Sequence, residues 1–386
     1  MVYDHIKNGD KMKKKQNVYK RKRNFHIFSA IPTVLFSLIL VSFFAVVGYS
    51  VAKPFAKIGE AEIASDVDVK IEEPTSAEEP VPEINETCAF WLAEKEIEDI
   101  ETLEAVLGRV SDEYNTIVIP LKIEGGKLNY KSYNEGAVMA EVGTETELSD
   151  IISTIKRNGF RPIASINLME DNLYPLADKA AGFSYAETGK LWYDSDPKNG
   201  GRAWLSPSSS TTKNYLSALT TEIANAGFEK IIVTDAQYPE FSRLGFDDIG
   251  ESVTNENRYL DLIDVVNLTA KAAHSKNSQL WAEIPAAEMI KGTCEVFQPM
   301  LLESDKTVLK INLDDFNGIM TCNNEIIDFS TMTVTEKIAK ICSIAENYIY
   351  KTSFVPEITG TKFTSSDKIS VREFFAEEGY TSYILR

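Results

Sequence analysis

The stretch YLSALTTEIANAGFEKIIVTDAQYP, Tyr215 to Pro239, carries the repeating unit of the whole chain. A helical pattern runs up to Gly227, the kind of residue that ends a helix because it accepts a left-handed backbone. A short turn follows, then the apolar run Ile231, Ile232 and Val233, which stops on Thr234 and Asp235 before an aromatic-proline turn. An apolar run that does not alternate with polar residues predicts a strand covered on both faces, as in a parallel sheet packed under helices.

The same unit recurs in both directions from this stretch. Strands are expected at 88–93, 116–123, 161–169, 230–235, 279–285, 307–314, 353–359 and 381–386. Helical patterns fill the intervals at 97–111, 146–158, 211–227, 256–275, 295–304, 333–350 and 367–378. Eight strands separated by seven helices over about 300 residues predict a (β/α)8 TIM-like barrel. The competing architecture is a doubly wound open sheet, which usually opens with a glycine-rich phosphate loop after its first strand. Here FWLAEKEIED, Phe90 to Asp99, contains no glycine, so the barrel is preferred.

The chain divides by composition into four parts. Residues 1–24 are basic, and FHIFSAIPTVLFSLILVSFFAVVGYSVA, 25–52, is apolar, with His26 its only ionisable group. That run exceeds the roughly 20 residues needed to span a bilayer, so a single-pass signal anchor is expected. Positive charge before it predicts a cytoplasmic N-terminus and an extracellular C-terminal domain at the cell membrane. Ser50-Val51-Ala52 also fits a signal-peptidase site, so a cleaved signal peptide is the other reading. Residues 53–87 are acidic and rich in Pro, Ala and Ser, which predicts a disordered linker. The barrel domain is expected over 88–386.

Charge and residue counts exclude several function classes. The overall charge of −18 divides into +8 over residues 1–53 and −26 beyond them. Such an acidic domain repels nucleic acid, which is therefore not expected as a partner. Four cysteines, Cys88, Cys294, Cys322 and Cys342, and three histidines lack metal-ligand spacing, so neither a metal nor another cofactor is expected. His274, the only histidine beyond the apolar run, falls at a helix end, where the last carbonyls are its natural partners. Cys294 and Cys322 are a candidate disulfide in an oxidising exterior, although spacing alone does not establish it.

Active sites of such barrels lie at the C-terminal ends of the strands. The expected strand ends carry Asp235, Glu283, Glu357 and Asp314, and carboxylates without a histidine suit acid/base or nucleophilic work on glycosides. Asp235, Glu283 and Glu357 are the candidate catalytic residues. All four tryptophans, Trp91, Trp192, Trp204 and Trp281, fall near strand ends or in the loop after the third strand. Flat aromatics pack against the apolar faces of sugar rings. With Lys122, Tyr238 and Asp314 these tryptophans are the candidate substrate-binding set. Each also has an ordinary structural reading, as a core or loop-anchoring side chain.

From about Trp91 to Pro239 the chain resembles the bacterial putative glycoside hydrolase domain family, whose barrels are of the α-amylase-related type. The residues that carry the likeness are NTIVIPLKIEGGKLNY, GFRPIASINLMEDNLYPLA, GKLWYDS with AWLSPSS, and the opening stretch itself. The resemblance implies a (β/α)8 fold, export or surface display, and action on a polysaccharide or cell-wall glycan. It also exposes departures. Family members usually carry aspartate at the position of Thr234, an aromatic at Asp235, arginine at Gln237, an acidic residue at Pro120 and arginine at Ser165. Lys122 and Glu283 fall where the family's lysine and acidic residue belong. A shift of one residue on a strand turns a side chain to the opposite face, so Asp235 is expected to point outwards unless the backbone re-aims it. Two readings follow: a glycosidase centred on Asp235, Glu283 and Glu357, or a catalytically degenerate barrel that binds glycan or scaffolds the cell envelope.

Overall fold

The computed structural model describes residues 87–241, 249–322 and 325–386. The expected membrane anchor at 25–52, the basic segment before it and all but the last residue of the linker lie outside the described residues. Among the described residues no helix is long and apolar enough to cross a membrane.

Eight parallel strands close into a barrel, as the spacing of apolar runs predicts. They are β1 (Thr87–Trp91), β2 (Thr116–Lys122), β3 (Arg161–Asn167), β4 (Lys230–Thr234), β5 (Gln279–Pro285), β6 (Lys306–Asn312), β9 (Phe354–Thr359) and β10 (Ser382–Leu385), in the order β1-β10-β9-β6-β5-β4-β3-β2. Between β6 and β9 an antiparallel hairpin of β7 (Ile319–Cys322) and β8 (Glu325–Asp328) stands outside the barrel; the sequence reading did not include it.

Six of the seven expected helices form, each within a few residues of its predicted bounds. They include Leu148–Arg157, Ser210–Asn225 and Tyr259–His274. The stretch 295–304 is not helical. Pro299 interrupts it, lacking the N–H that a helix interior requires, and the helix on this side is instead Ala286–Lys291. His274 ends its helix as expected, but its Nε2 pairs with Asp305 Oδ2 at 2.8 Å rather than with backbone carbonyls. All four cysteines are free, so Cys294 and Cys322 are not bonded.

Strand alternation sorts the core into two shells. Residues such as Ile231 and Val233 face outwards into the large apolar layer beneath the helices. Ala89, Trp91, Val118, Ile163, Ile232, Trp281, Val308, Val355 and Ile384 face inwards and fill the barrel. Trp281, 1 % exposed, sits towards the N-terminal end, with the ammonium groups of Lys230 and Lys306 4.9 and 5.7 Å from its ring. Both lysines belong to the first residues of their strands, so Trp281 is a plug at the end of the barrel opposite any active site. Its expected role in substrate binding is corrected accordingly.

Candidate active site

Towards the C-terminal ends of the strands, most of the inward-facing positions become polar. The inner layer there is built from Trp91, Pro120, Ser165, Thr234, Glu283, Lys310, Glu357 and Arg386, with Lys122 and Asn167 on the rim above. Over this layer lies a cleft of about 1010 Å³ whose lining includes Tyr238, Arg258, Glu288, Glu170 and Trp204. A second cleft of about 320 Å³, over Trp91, Ser165 and Arg386, adjoins it. Glu170, Asp235 and Glu283 line both clefts, so they mark the junction.

Asp235 reaches this junction by an unusual backbone. Its φ is +52°, in the left-handed region that costs most non-glycine residues about 1 kcal/mol or more. β4 ends at Thr234, which keeps the inward position that alternation dictates, and the turn at Asp235 brings the next side chain to the same side. Its Oδ2 accepts a hydrogen bond of 2.8 Å from Nδ2 of the inward-facing Asn167. The outward orientation expected from parity alone is thus overturned. Backbone strain held at a cleft is a recurrent mark of functional sites.

Asn167 holds a second group. Its Oδ1 accepts from the backbone N–H of Glu170 at 3.0 Å, and the Glu170 carbonyl accepts from Gly125 N–H at 2.8 Å. The Glu170 carboxyl accepts from Gln237 Nε2 at 3.4 Å. Burial, then Asp235, then Glu124 push the Glu170 carboxyl above its ordinary range, and Arg202 and Gln237 offset only part of this. The sequence reading missed Glu170. It lies three residues beyond Asn167 in INLMED, past the strand end where candidates were sought.

Glu283 and Glu357 occupy a different setting. Glu283 is 3 % exposed and Glu357 is fully buried, so the two form the floor rather than the wall of the cleft. Glu283 Oε1 pairs with Lys310 Nζ at 3.0 Å, and Glu357 Oε1 lies 3.6 Å from a guanidinium nitrogen of Arg386. The two carboxyls neighbour one another, and Glu283 Oε2 makes no hydrogen bond to another side chain among the described residues. Burial and then Glu357 push Glu283 well above the usual carboxylate range. Burial also raises Glu357, against the pull of Lys310 and Arg386. Burial alone would depress Lys310, but Glu283, Asp235 and Glu357 raise it above an ordinary lysine.

The expected binding residues scatter. Lys122 is buried within the rim, donating to the Asn167 carbonyl at 2.9 Å and pairing with Asp171 at 3.0 Å. Gly126, with φ +96°, packs on that aspartate so closely that a Cβ would fall 2.0 Å from its Oδ1, which explains the glycine in KIEGGK. Trp91 lines the smaller cleft under the Arg386 guanidinium, 4.7 Å from its ring. Trp204 lines the larger cleft and donates from Nε1 to Asp194 at 3.1 Å. Tyr238 lines it too, with its hydroxyl donating to the Arg258 carbonyl at 2.9 Å. Trp192 is buried against Phe183 and Phe241 and anchors the loop. Asp314 accepts from the backbone and hydroxyl of Thr361, tying the loop after β6 to the one after β9. Among the described residues no group of histidine, cysteine and carboxylate side chains is arranged to hold a metal.

A family model described as a putative glycosyl hydrolase domain matches residues 89–289, just over half of the chain. A search of curated proteins finds no match. Among solved structures, the PgaB (BpsB) glycoside hydrolase domain of Bordetella bronchiseptica is similar at a TM-score of 0.52 and 10% identity, covering 78% of this chain and 93% of that one. The glycoside hydrolase domain of PelA from Pseudomonas aeruginosa is similar at a TM-score of 0.43 and 11% identity, over 78% of this chain and 94% of that one. The first likeness speaks for the barrel fold alone; the second is too low to carry an argument.

Proposed function

The chain belongs to the putative glycosyl hydrolase domain family, and from that premise we propose that it is a polysaccharide hydrolase whose reaction is centred on Asp235. One observation carries this reading: a non-glycine backbone held at φ +52° delivers a carboxylate to the junction of two clefts against the face that strand parity dictates. Hydrolysis of a glycosidic bond needs one carboxyl group to protonate the leaving oxygen. A second acts at the anomeric carbon, as base or nucleophile. Asp235 suits the second role, because it is open to the cleft and oriented by Asn167, with the Lys310 ammonium near enough to feel its charge but not hydrogen-bonded to it.

The test is release of reducing ends from soluble starch, glycogen and chitosan by the full chain. Asp235→Asn keeps the side chain's shape and its tolerance of positive φ, and its rate is expected to fall by about 10²–10⁴-fold. Release that survives Asp235→Asn contradicts the assignment.

A second reading, glycan binding without turnover, draws on Thr234, which occupies the inward position where the family's aspartate stands. Retention on these polysaccharides with no reducing ends released would favour it.

We also propose that the apolar run 25–52 anchors the protein with the barrel outside the cell membrane, supported by the charge asymmetry around that run. Release of the intact chain from membranes by alkaline carbonate would contradict an anchor.

A further inference from the structure

We propose that Glu170 is the proton donor of this site, working with Asp235, while Glu283, Lys310, Glu357 and Arg386 beneath it position the floor and do not react. The inference rests on the hydrolase reading above and goes beyond it by naming the acid. The strand-end pattern points instead to Glu283.

Access decides between them. A general acid must come within hydrogen-bond reach of the glycosidic oxygen, about 2.6–3.2 Å. Glu283 cannot do so without leaving its place: Oε1 is held by Lys310, Oε2 is enclosed, and the residue is 3 % exposed. Glu357 lies deeper still and is fully buried. Glu288 is half-buried, but it lines only the larger cleft, away from the junction. Glu283 and Glu170 both line the two clefts, but only Glu170 is partly exposed, so a glycan laid across them can meet its carboxyl where it passes Asp235.

Position is the second argument. Asn167 touches both members of the pair, accepting from the Glu170 backbone and donating to the Asp235 carboxylate. The Gly125 N–H fixes the Glu170 carbonyl, and the adjacent Asp171 is locked to Lys122. The loop bearing Glu170 is therefore pinned on both sides, as a catalytic group requires. The side chain itself meets only the neutral amide of Gln237, so no cation clamps it in the charged form. Burial and the neighbouring Asp235 favour the form that carries a proton. The charged groups that face it are Asp235 at the end of β4, Glu124 in the loop after β2, and Arg202 in the loop after β3, which pairs with Glu124.

The step is a hydrolysis. The bond between the anomeric carbon and the bridging oxygen breaks, its electron pair goes to that oxygen, and the Glu170 proton joins it. Water then bonds to the anomeric carbon through its oxygen. Its released proton restores Glu170, so one water is consumed and both carboxyls return to their starting state.

The test compares Glu170→Gln, Glu283→Gln and the wild-type full chain on soluble starch, glycogen and chitosan. It is then repeated on a 2,4-dinitrophenyl glycoside of the sugar released, whose phenolate departs without protonation. Glu170→Gln is expected to lose about 100-fold or more on the polymer and less than about tenfold on the aryl glycoside, with the alkaline limb of its kcat/KM profile abolished. A purely structural residue would lose both substrates alike and keep the limb. If Glu170→Gln stays within about tenfold of wild type on the polymer while Glu283→Gln shows the leaving-group signature, the inference is overturned and the hydrolase reading stands. If the wild-type chain releases nothing from any of the three, both fall together. Glu170 makes one long side-chain hydrogen bond, and an unchanged thermal midpoint for Glu170→Gln separates lost chemistry from lost folding.

Discussion

Two sets of carboxyl groups lie within one barrel mouth and differ in every property that matters for chemistry. Asp235 and Glu170 face the clefts and are held by the neutral side chains Asn167 and Gln237. Glu283, Glu357 and Asp171 are enclosed and paired with the cations Lys310, Arg386 and Lys122. A buried carboxylate needs a cation or a proton because desolvation penalises its charge. Once so paired, it is a rigid part of the floor. A carboxyl left open, with only amide partners, keeps a lone pair and a proton free for a substrate. A charged residue on a barrel strand is therefore not by itself evidence of catalysis; what decides is which partner satisfies it.

The sharpest way to break this contrast is to remove the cation from one of the enclosed pairs. Lys122→Met leaves Asp171 buried without its ion partner, and the expected loss is about 3–5 kcal/mol in urea unfolding. Asp171→Asn in the same chain should recover much of it, since Asn retains the Oδ1 that caps Leu173 and Tyr174. A single-variant loss below about 1 kcal/mol would mean that the enclosed Asp171 does not depend on its ion pair.

A smaller effect is expected from Glu283→Gln and is read as pH dependence. Folding raises the Glu283 carboxyl above its ordinary value of 4.5 through burial and Glu357, so the native state binds the proton more tightly than the unfolded chain. The associated stability is complete below about pH 4.5 and drains as pH rises through the folded value. The wild-type urea midpoint should therefore fall from mildly acidic pH towards neutral, and less steeply in Glu283→Gln. Glu357 contributes a slope of the same sign, so the variant's slope is reduced rather than abolished. Identical slopes would show that Glu283 is not held protonated by the fold.

The smallest expected change is in the stability of Asp235→Asn, within about 0.5 kcal/mol of wild type, because asparagine accepts positive φ at least as well as aspartate. Near-native stability together with lost activity would confirm that the strained turn serves chemistry. A large destabilisation would place Asp235 with the floor instead.

The barrel was legible in the sequence because its strands are buried on both faces, and such burial leaves apolar runs that need no tertiary information to read. KIIVTD became β4 and QLWAEIP became β5 with bounds shifted by no more than a residue. The segment VFQPMLL misled because its apolar residues mimic a helical period across Pro299. Met300 and Leu301 are in fact exposed. Period two along a strand also identifies which residues enter the barrel, so the polar layer containing Glu283, Lys310 and Glu357 was open to prediction in principle. Lys310, a lysine amid VLKIN, was its overlooked signal.

What the chain's one-dimensional pattern determines, then, is the sequence of strands and helices and the parity of each strand, because both follow from local burial. Tertiary structure alone decides the rest. It turns Asp235 inwards by a backbone rotation that parity forbids. It buries Glu283 against Lys310 of β6, and Glu357 against Arg386, the residue after β10. It also brings Glu170, 65 residues earlier in the chain, to the same cleft through Asn167. The physical reason is that reach, desolvation and the identity of a neighbour are set by what packs around a side chain, and its neighbours in sequence do not record them.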